Sequence, residues 1–274
     1  MFSIQTLILS VVLYLVFAPL AAGLLEGGFN KLSGKLQGRP GSPILKPFDD
    51  LFQLLKKEEN TADQVQEFFL FGFLLFLMIA GGLFFAGGDL LMVIFTLTLA
   101  KVFLVMGLYT SQSRVVQKGG ERELLLMMTY EPVILLAAVG FYLVNSSFDI
   151  ADILHGALPD VVLMPGMFLG FVLILTMKQR SFPYELSGKA QAMEKLAHWY
   201  ERILLLGLLS LFFAWDWAFS PVVAVSVSLV IDFLPLLIDR CFPGMKRLFA
   251  IQAPWIMAMT AGFANLIFLY LTVY

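Results

Sequence analysis

Lys101 and Glu131 each interrupt a run of apolar residues long enough to cross a bilayer. A charged group in hydrocarbon costs several kcal/mol, roughly, unless it is paired or hydrated. Lys101 lies about eleven residues into its run, too deep for its ammonium to reach the interface comfortably. Glu131 lies about seven residues into the next run and precedes Pro132. That proline removes one backbone donor and gives water or a side chain a place to enter. The chemistry open to such residues is the uptake and release of protons, with structural ion pairing as the alternative. Asp50, Glu121, Glu123, Glu185, Glu194 and Glu201 flank the ends of the apolar runs. Glu194 and Glu201, seven apart, share a helix face, as do Glu194 and His198, four apart. Such a row passes protons inward or simply neutralises neighbouring lysines and arginines. Asp89, Asp149, Asp152, Asp160 and Asp216 fall at the opposite ends of the runs and are expected to be solvated, and Asp232 lies within an apolar run. One cysteine, Cys241, and two distant histidines, His155 and His198, give no disulfide, cluster or catalytic metal spacing.

The elements that must position these groups follow from composition. The 274 residues are 59% hydrophobic and only 14% charged, with a mean hydropathy of +0.86. That is too apolar for a soluble domain. The runs are about 20 residues long, the length of a helix that crosses roughly 30 Å of hydrocarbon. The alternating ten-residue pattern of a β-barrel is absent. The expected fold is therefore an all-α integral membrane protein with about eight transmembrane helices in one domain, 1–274. The spans are expected near Phe2–Leu25, Phe68–Ala86, Leu90–Thr110, Leu124–Val144, Val161–Met177, Ile203–Phe219, Val222–Ile238 and Phe249–Val273. The first has no basic region before it and reads as a retained span rather than a signal peptide.

Seventeen of the 18 lysines and arginines fall in the four odd-to-even connections, and Lys101 is the exception. The intervening loops contain none. The positive-inside rule then places the long loops in the cytoplasm and both termini outside the cell membrane. Trp215 and Trp217 suit an outer aromatic belt, Trp199 and Trp255 an inner one. Residues 26–66 form a long cytoplasmic loop, within which Phe48, Leu51, Phe52, Leu54 and Leu55 make one apolar face. Asp49, Asp50, Gln53, Lys56 and Lys57 lie towards the other side. That pattern predicts a short amphipathic helix at the membrane surface, either an interfacial anchor or a docking surface for a soluble partner.

Three segments carry a family resemblance. The stretch Gln37-Gly38-Arg39-Pro40-Gly41-Ser42-Pro43-Ile44-Leu45-Lys46-Pro47-Phe48-Asp49-Asp50-Leu51, running on to Lys56-Lys57-Glu58, resembles the first cytoplasmic loop of the complex I heel subunit. Arg122-Glu123 followed by Met128-Thr129-Tyr130-Glu131-Pro132 is similar to that family's Arg…Ser-Tyr-Glu pattern. Glu185-Leu186-Ser187-Gly188 with Ala197-His198-Trp199-Tyr200-Glu201 resembles the hydrogenase branch, the membrane subunits of energy-converting [NiFe] hydrogenases and formate hydrogenlyases. The fifth-to-sixth connection, Arg180-Ser181-Phe182-Pro183-Tyr184, runs into Glu185 as if roughly ten residues were missing relative to the respiratory enzymes. This departure favours the hydrogenase branch over quinone binding.

The resemblance implies a membrane anchor and coupling subunit of a ferredoxin-linked [NiFe] hydrogenase, linking hydrogen evolution to proton or sodium ion translocation. By motif position Asp50, Glu131 and Glu185 correspond to coupling carboxylates and Arg122 to the family arginine, whereas Lys101 rests on its burial alone. The candidate coupling set is Asp50, Lys101, Arg122, Glu123, Glu131, Glu185, Glu194 and Glu201, with no catalytic residue in this chain. Gln37, Arg39, Asp49, Lys56 and Lys57 are the candidate docking residues. No cofactor is expected here; the [NiFe] centre and iron–sulfur clusters belong to the implied partners. Those are the hydrogenase small subunit with the terminal cluster, the large subunit, a ferredoxin-like iron–sulfur subunit and an antiporter-like membrane subunit. The remaining partner is the lipid bilayer, with no nucleic acid. A quinone-reducing complex I-like subunit, a non-pumping structural anchor and a free-standing transporter are the competing readings.

Overall fold

The structure, a computed structural model, describes residues 4–36, 38, 41–57, 64–156, 158–179, 186, 188–217, 219–241 and 247–273. Among these the secondary structure is helical apart from one isolated bridge, Asp89 with Asp149. The helices are α1 (Ile4–Leu36), α2 (Lys46–Lys56), α3 (Gln64–Phe85), α4 (Leu90–Tyr109), α5 (Arg114–Asn145), α6 (Ile150–Ile153), α7 (Asp160–Leu163), α8 (Pro165–Gln179), α9 (Gly188–Leu211), α10 (Ser220–Cys241) and α11 (Arg247–Val273). Eight of them have 15 residues or more. By length and apolarity, α1, α3, α4 and α5 suffice to cross a membrane, and α8, α10 and α11 contain shorter apolar stretches. The chain is thus an all-α, multi-pass membrane protein.

α3 and α4 match the expected spans to within a few residues, because their sequences are apolar all round. Other boundaries move for physical reasons. α1 continues to Leu36, through the first part of the stretch expected to be a loop. α5 starts at Arg114, so Arg114, Lys118 and Arg122 sit on helix rather than in a connection, and the helix runs unbroken through Pro132. The sixth span departs furthest from expectation. Its helix is α9, ending at Leu211 instead of extending to Phe219, and it begins in the charged stretch before Ile203.

The chain divides into two compact units. The first comprises Met1–Ala86, Phe95–Leu124 and Phe182–Leu204. In it α1 packs along α3 and against α2. Pro47, at the start of α2, fixes the entry turn, while Asp49 in the first turn and Lys56 in the last complement the helix dipole. The segment leading into α2 lies directly on α1: a Cβ on Gly27 would collide with the Ile44 carbonyl, so only glycine permits the approach.

The second unit comprises Gly87–Ile94, Leu125–Ser181 and Leu205–Tyr274. α8 is flanked by α11 and α10. Around it Phe212 packs on Phe141 at 4.8 Å and on Phe168 at 5.7 Å between ring centroids. The break between α7 and α8 falls at Met164, whose φ of −124° and ψ of 51° are non-helical, because the residue before Pro165 is biased away from helix. The exposed N-terminus of α8 is capped from another helix. Asn265 Oδ1 accepts from Gly166 N at 2.9 Å and Met167 N at 3.4 Å, and its Nδ2 donates to the Leu163 carbonyl at 3.2 Å. α5 ends where Ser146 adopts a left-handed φ of 54°.

Candidate functional site

Lys101 sits midway along α4 and Glu201 midway along α9, both in the first unit and both almost wholly buried, 2% and 1% exposed. The Lys101 ammonium lies 2.8 Å from Glu201 Oε1 and 2.9 Å from Oε2, so it bridges both carboxylate oxygens. It also lies 5.2 Å from the centroid of the Phe73 ring, whose electron-rich face adds attraction. Desolvating two charges is costly, and only close geometry with further contacts recovers that cost. This corrects the expectation for Glu201. It does not border a connection but neutralises Lys101, buried in the apolar α4.

His198 extends the pair. Its Nδ1 lies 2.8 Å from the Glu194 carbonyl, and a carbonyl only accepts, so Nδ1 carries the proton. Nε2 is then the position that gains or releases a proton, and it lies 4.0 Å from Glu201 Oε2. The imidazole stands edge-on to Phe73 at 5.6 Å and is about one-third exposed. A partly exposed imidazole beside a buried carboxylate–ammonium pair is an arrangement that can move a proton between surface and interior.

The same helix holds α2 in place. Trp199 Nε1 donates to Glu26 Oε2 at 2.5 Å, and Phe48 of α2 meets the indole edge-on at 5.2 Å. Lys195 Nζ donates to the Pro47 carbonyl at 3.1 Å, and lies 4.0 Å from Glu26 and 5.6 Å from the Trp199 ring centroid. Ala22, Leu51, Ala192 and Trp199 form the buried cluster beneath, with Phe48, Leu54, Leu196 and Ile203 around it. Trp199 is therefore a core residue rather than a belt residue. Tyr200 donates to the Leu15 carbonyl at 2.7 Å, tying α9 to α1. One turn of α9 thus touches the α2 support at Trp199 and the buried pair at Glu201.

The amphipathic face of α2 splits in two. Leu51 is buried and Phe48 and Leu54 are half-buried, whereas Phe52 and Leu55 are exposed. Of the docking residues, Asp49, Lys56 and Lys57 are exposed on or just beyond α2, and Gln37 and Arg39 lie outside the described residues. Of the coupling residues, Asp50 is half-buried on α2, Glu194 half-buried on α9, Glu123 buried and Arg122 exposed on α5. Glu131 belongs to the second unit, and its buried Oε1 has no hydrogen-bond donor. Glu185 lies outside the described residues. Among the coupling residues, Lys101 and Glu201 are brought into direct side-chain contact. Glu26 was not singled out, and His198 was paired with Glu194 rather than with Glu201. For His198 the spacing of three to Glu201 was the available signal; for Glu26, 173 residues from Trp199, no local signal exists. Among the described residues no group of three or more histidine, cysteine or acidic side chains is placed to hold a metal.

An all-helical, multi-pass protein with a buried lysine–glutamate pair is the class these features define. The chain belongs to the NADH dehydrogenase family, of complex I subunit 1 type, whose sequence model matches residues 8–270. In structure it is similar to a chain of the membrane-bound sulfane sulfur reductase, an archaeal respiratory membrane complex. The TM-score is 0.78 at 17% identity, over 95% of this chain and 99% of that one, which establishes a shared fold. No curated protein matches the sequence significantly.

Proposed function

We propose that this chain is the membrane-anchor and coupling subunit of a ferredoxin-linked energy-converting [NiFe] hydrogenase. The observation that carries the coupling role is the Lys101–Glu201 pair, joined through one turn of α9 to the contacts that seat α2. Membership in the complex I subunit 1 family supports an anchor within a redox complex. The motifs around Glu185 and Glu201 and the short Arg180–Tyr184 connection favour the hydrogenase branch. In this reading α2 and its flanking loop receive the small subunit, which carries the terminal iron–sulfur cluster, with the basic loops in the cytoplasm. Electrons from reduced ferredoxin reach the [NiFe] centre in the large subunit. Motion of α2 during turnover shifts α9, alters the Lys101–Glu201 contact, and lets His198 exchange a proton. An antiporter-like subunit beside this chain completes ion export.

The likeness to the sulfane sulfur reductase chain favours a second reading, the same role in a sulfur-reducing complex. Gentle purification of the tagged chain separates the two. Nickel and dye-linked hydrogen activity in the co-purified complex support the hydrogenase. Iron–sulfur subunits without nickel favour a sulfur- or quinone-reducing complex. Recovery of the chain alone, active as a carrier in vesicles, contradicts both.

A further inference from the structure

Asp160 was expected to be solvated, and the structure buries it to 1% exposure at the start of α7, outside the apolar span of α8. Its Oδ2 accepts from Asn145 Nδ2 at 3.1 Å, and its Oδ1 has no hydrogen-bond donor. Beside this contact is a cradle at Gly156. A Cβ placed there would have three oxygens as its nearest neighbours: Asn145 Oδ1 at 3.1 Å, the Ile153 carbonyl at 3.5 Å and the Leu158 carbonyl at 3.6 Å. The cradle is anchored from two sides, by Asp216 N donating to the Gly156 carbonyl at 2.9 Å and Val161 N donating to the Phe212 carbonyl at 2.8 Å.

Among the described residues, no lysine or arginine pairs with Asp160 as a counter-ion. The elements that meet here are the end of α5, the 146–159 connection with α6, the end of α9 and the loop to Trp217. Their titratable side chains near the cradle are Asp149, Asp152, His155 and Asp216, all exposed. Three connections of the second unit, 87–89, 145–160 and 212–219, contain no lysine or arginine. Burial pushes the Asp160 carboxyl up to about 7, against the opposing effect of the Asn145 hydrogen bond. A carboxylate without a protein counter-charge takes neutrality from solution, as a proton or a cation. Neutral oxygens beside it suit a hard cation, which binds carboxylate, amide and carbonyl oxygen in preference to nitrogen or sulfur. An acidic surface concentrates cations at the entrance.

We propose that Asp160 and Asn145, with the Ile153 and Leu158 carbonyls around Gly156, form a monovalent-cation site in which sodium displaces the Asp160 proton. The exchange is electroneutral: the carboxylic acid releases one proton and its carboxylate holds one sodium ion. The site uses neither residue of the Lys101–Glu201 pair and does not depend on the hydrogenase reading.

The test follows thermal unfolding of the full-length chain in detergent, with sodium chloride compared with choline chloride. Sodium is expected to raise the midpoint progressively at about pH 8.5 and to do so little at about pH 5, where the proton holds the site. Asp160→Asn is expected to abolish the sodium shift, and Gly156→Ala to diminish it by placing a methyl group in the cradle. If either variant fails to fold, infrared difference spectra of the wild-type chain near pH 7 decide the matter. Loss of a protonated-carboxyl band on adding sodium, but not choline, supports the site. A midpoint that responds equally to both salts, a sodium shift that survives in Asp160→Asn, or a carboxyl band indifferent to sodium overturns it.

Discussion

Glu201 and Asp160 are buried to the same extent, yet the chain treats them in opposite ways. Glu201 in the first unit receives an ammonium at 2.8 Å, and the charge is settled within the protein. Asp160 in the second unit receives one amide at 3.1 Å and no cation from its own loops. The first is a fixed pair, disturbed only if a helix moves or a proton arrives. The second is open to exchange with the surroundings. The contrast shows that burial alone does not define a carboxylate's role; the sign and number of its partners do.

The largest effect is expected from breaking the pair on one side. Lys101→Met leaves a buried carboxylate without its cation and should cost about 3–5 kcal/mol. Replacing both partners, Lys101→Met with Glu201→Leu, should return most of that stability. Denaturant unfolding in detergent measures both, and equal losses in the single and double variants would refute the pairing. The second effect concerns pH. The folded Asp160 carboxyl titrates near 7, against an ordinary 3.8, so the folded state holds the proton more tightly. Its contribution is complete below pH 3.8 and is lost as pH rises through 7. In choline chloride the midpoint should therefore fall across that window, by an amount equivalent to a few kcal/mol, roughly. Asp160→Asn should remove the slope, and a slope unchanged in that variant would exclude Asp160 as its source.

Part of this contrast was legible in the sequence. Lys101 was identifiable because a single charge in a 20-residue apolar helix has no other explanation than pairing or function. Its partner was not, since 100 residues separate the two and no local pattern links them. Hydropathy located α3 and α4 closely but misplaced α9, whose charged stretch Glu194–Arg202 resembles a connection. That stretch is helix because Glu201 is neutralised by Lys101, Lys195 bonds the Pro47 carbonyl near Glu26, and Arg202 lies over the Phe29 ring at 4.6 Å. Asp160 was unreadable for the converse reason. A window average shows that a segment is polar, not which of its carboxylates turns inward.

Smaller effects sharpen the account of α2. Trp199→Phe keeps the packing against Phe48 but deletes the N–H that Glu26 accepts, so the chain should lose about 1 kcal/mol of stability. No measurable loss would mean that solvent replaces that bond. Phe52→Ala with Leu55→Ala alters only exposed residues of α2 and should change stability by less than about 0.5 kcal/mol. If this face receives the soluble arm, the same variant should sharply reduce its recovery in pull-downs. Undiminished recovery would move the docking surface elsewhere.

The most direct test of the central claim uses the Lys101→Met, Glu201→Leu double variant in the assembled complex. That variant retains a filled interior and lacks the pair proposed to govern proton exchange at His198. In sealed membrane vesicles the account predicts normal dye-linked hydrogen evolution with ion translocation abolished or strongly reduced. Translocation per hydrogen molecule equal to that of the wild-type complex would contradict it.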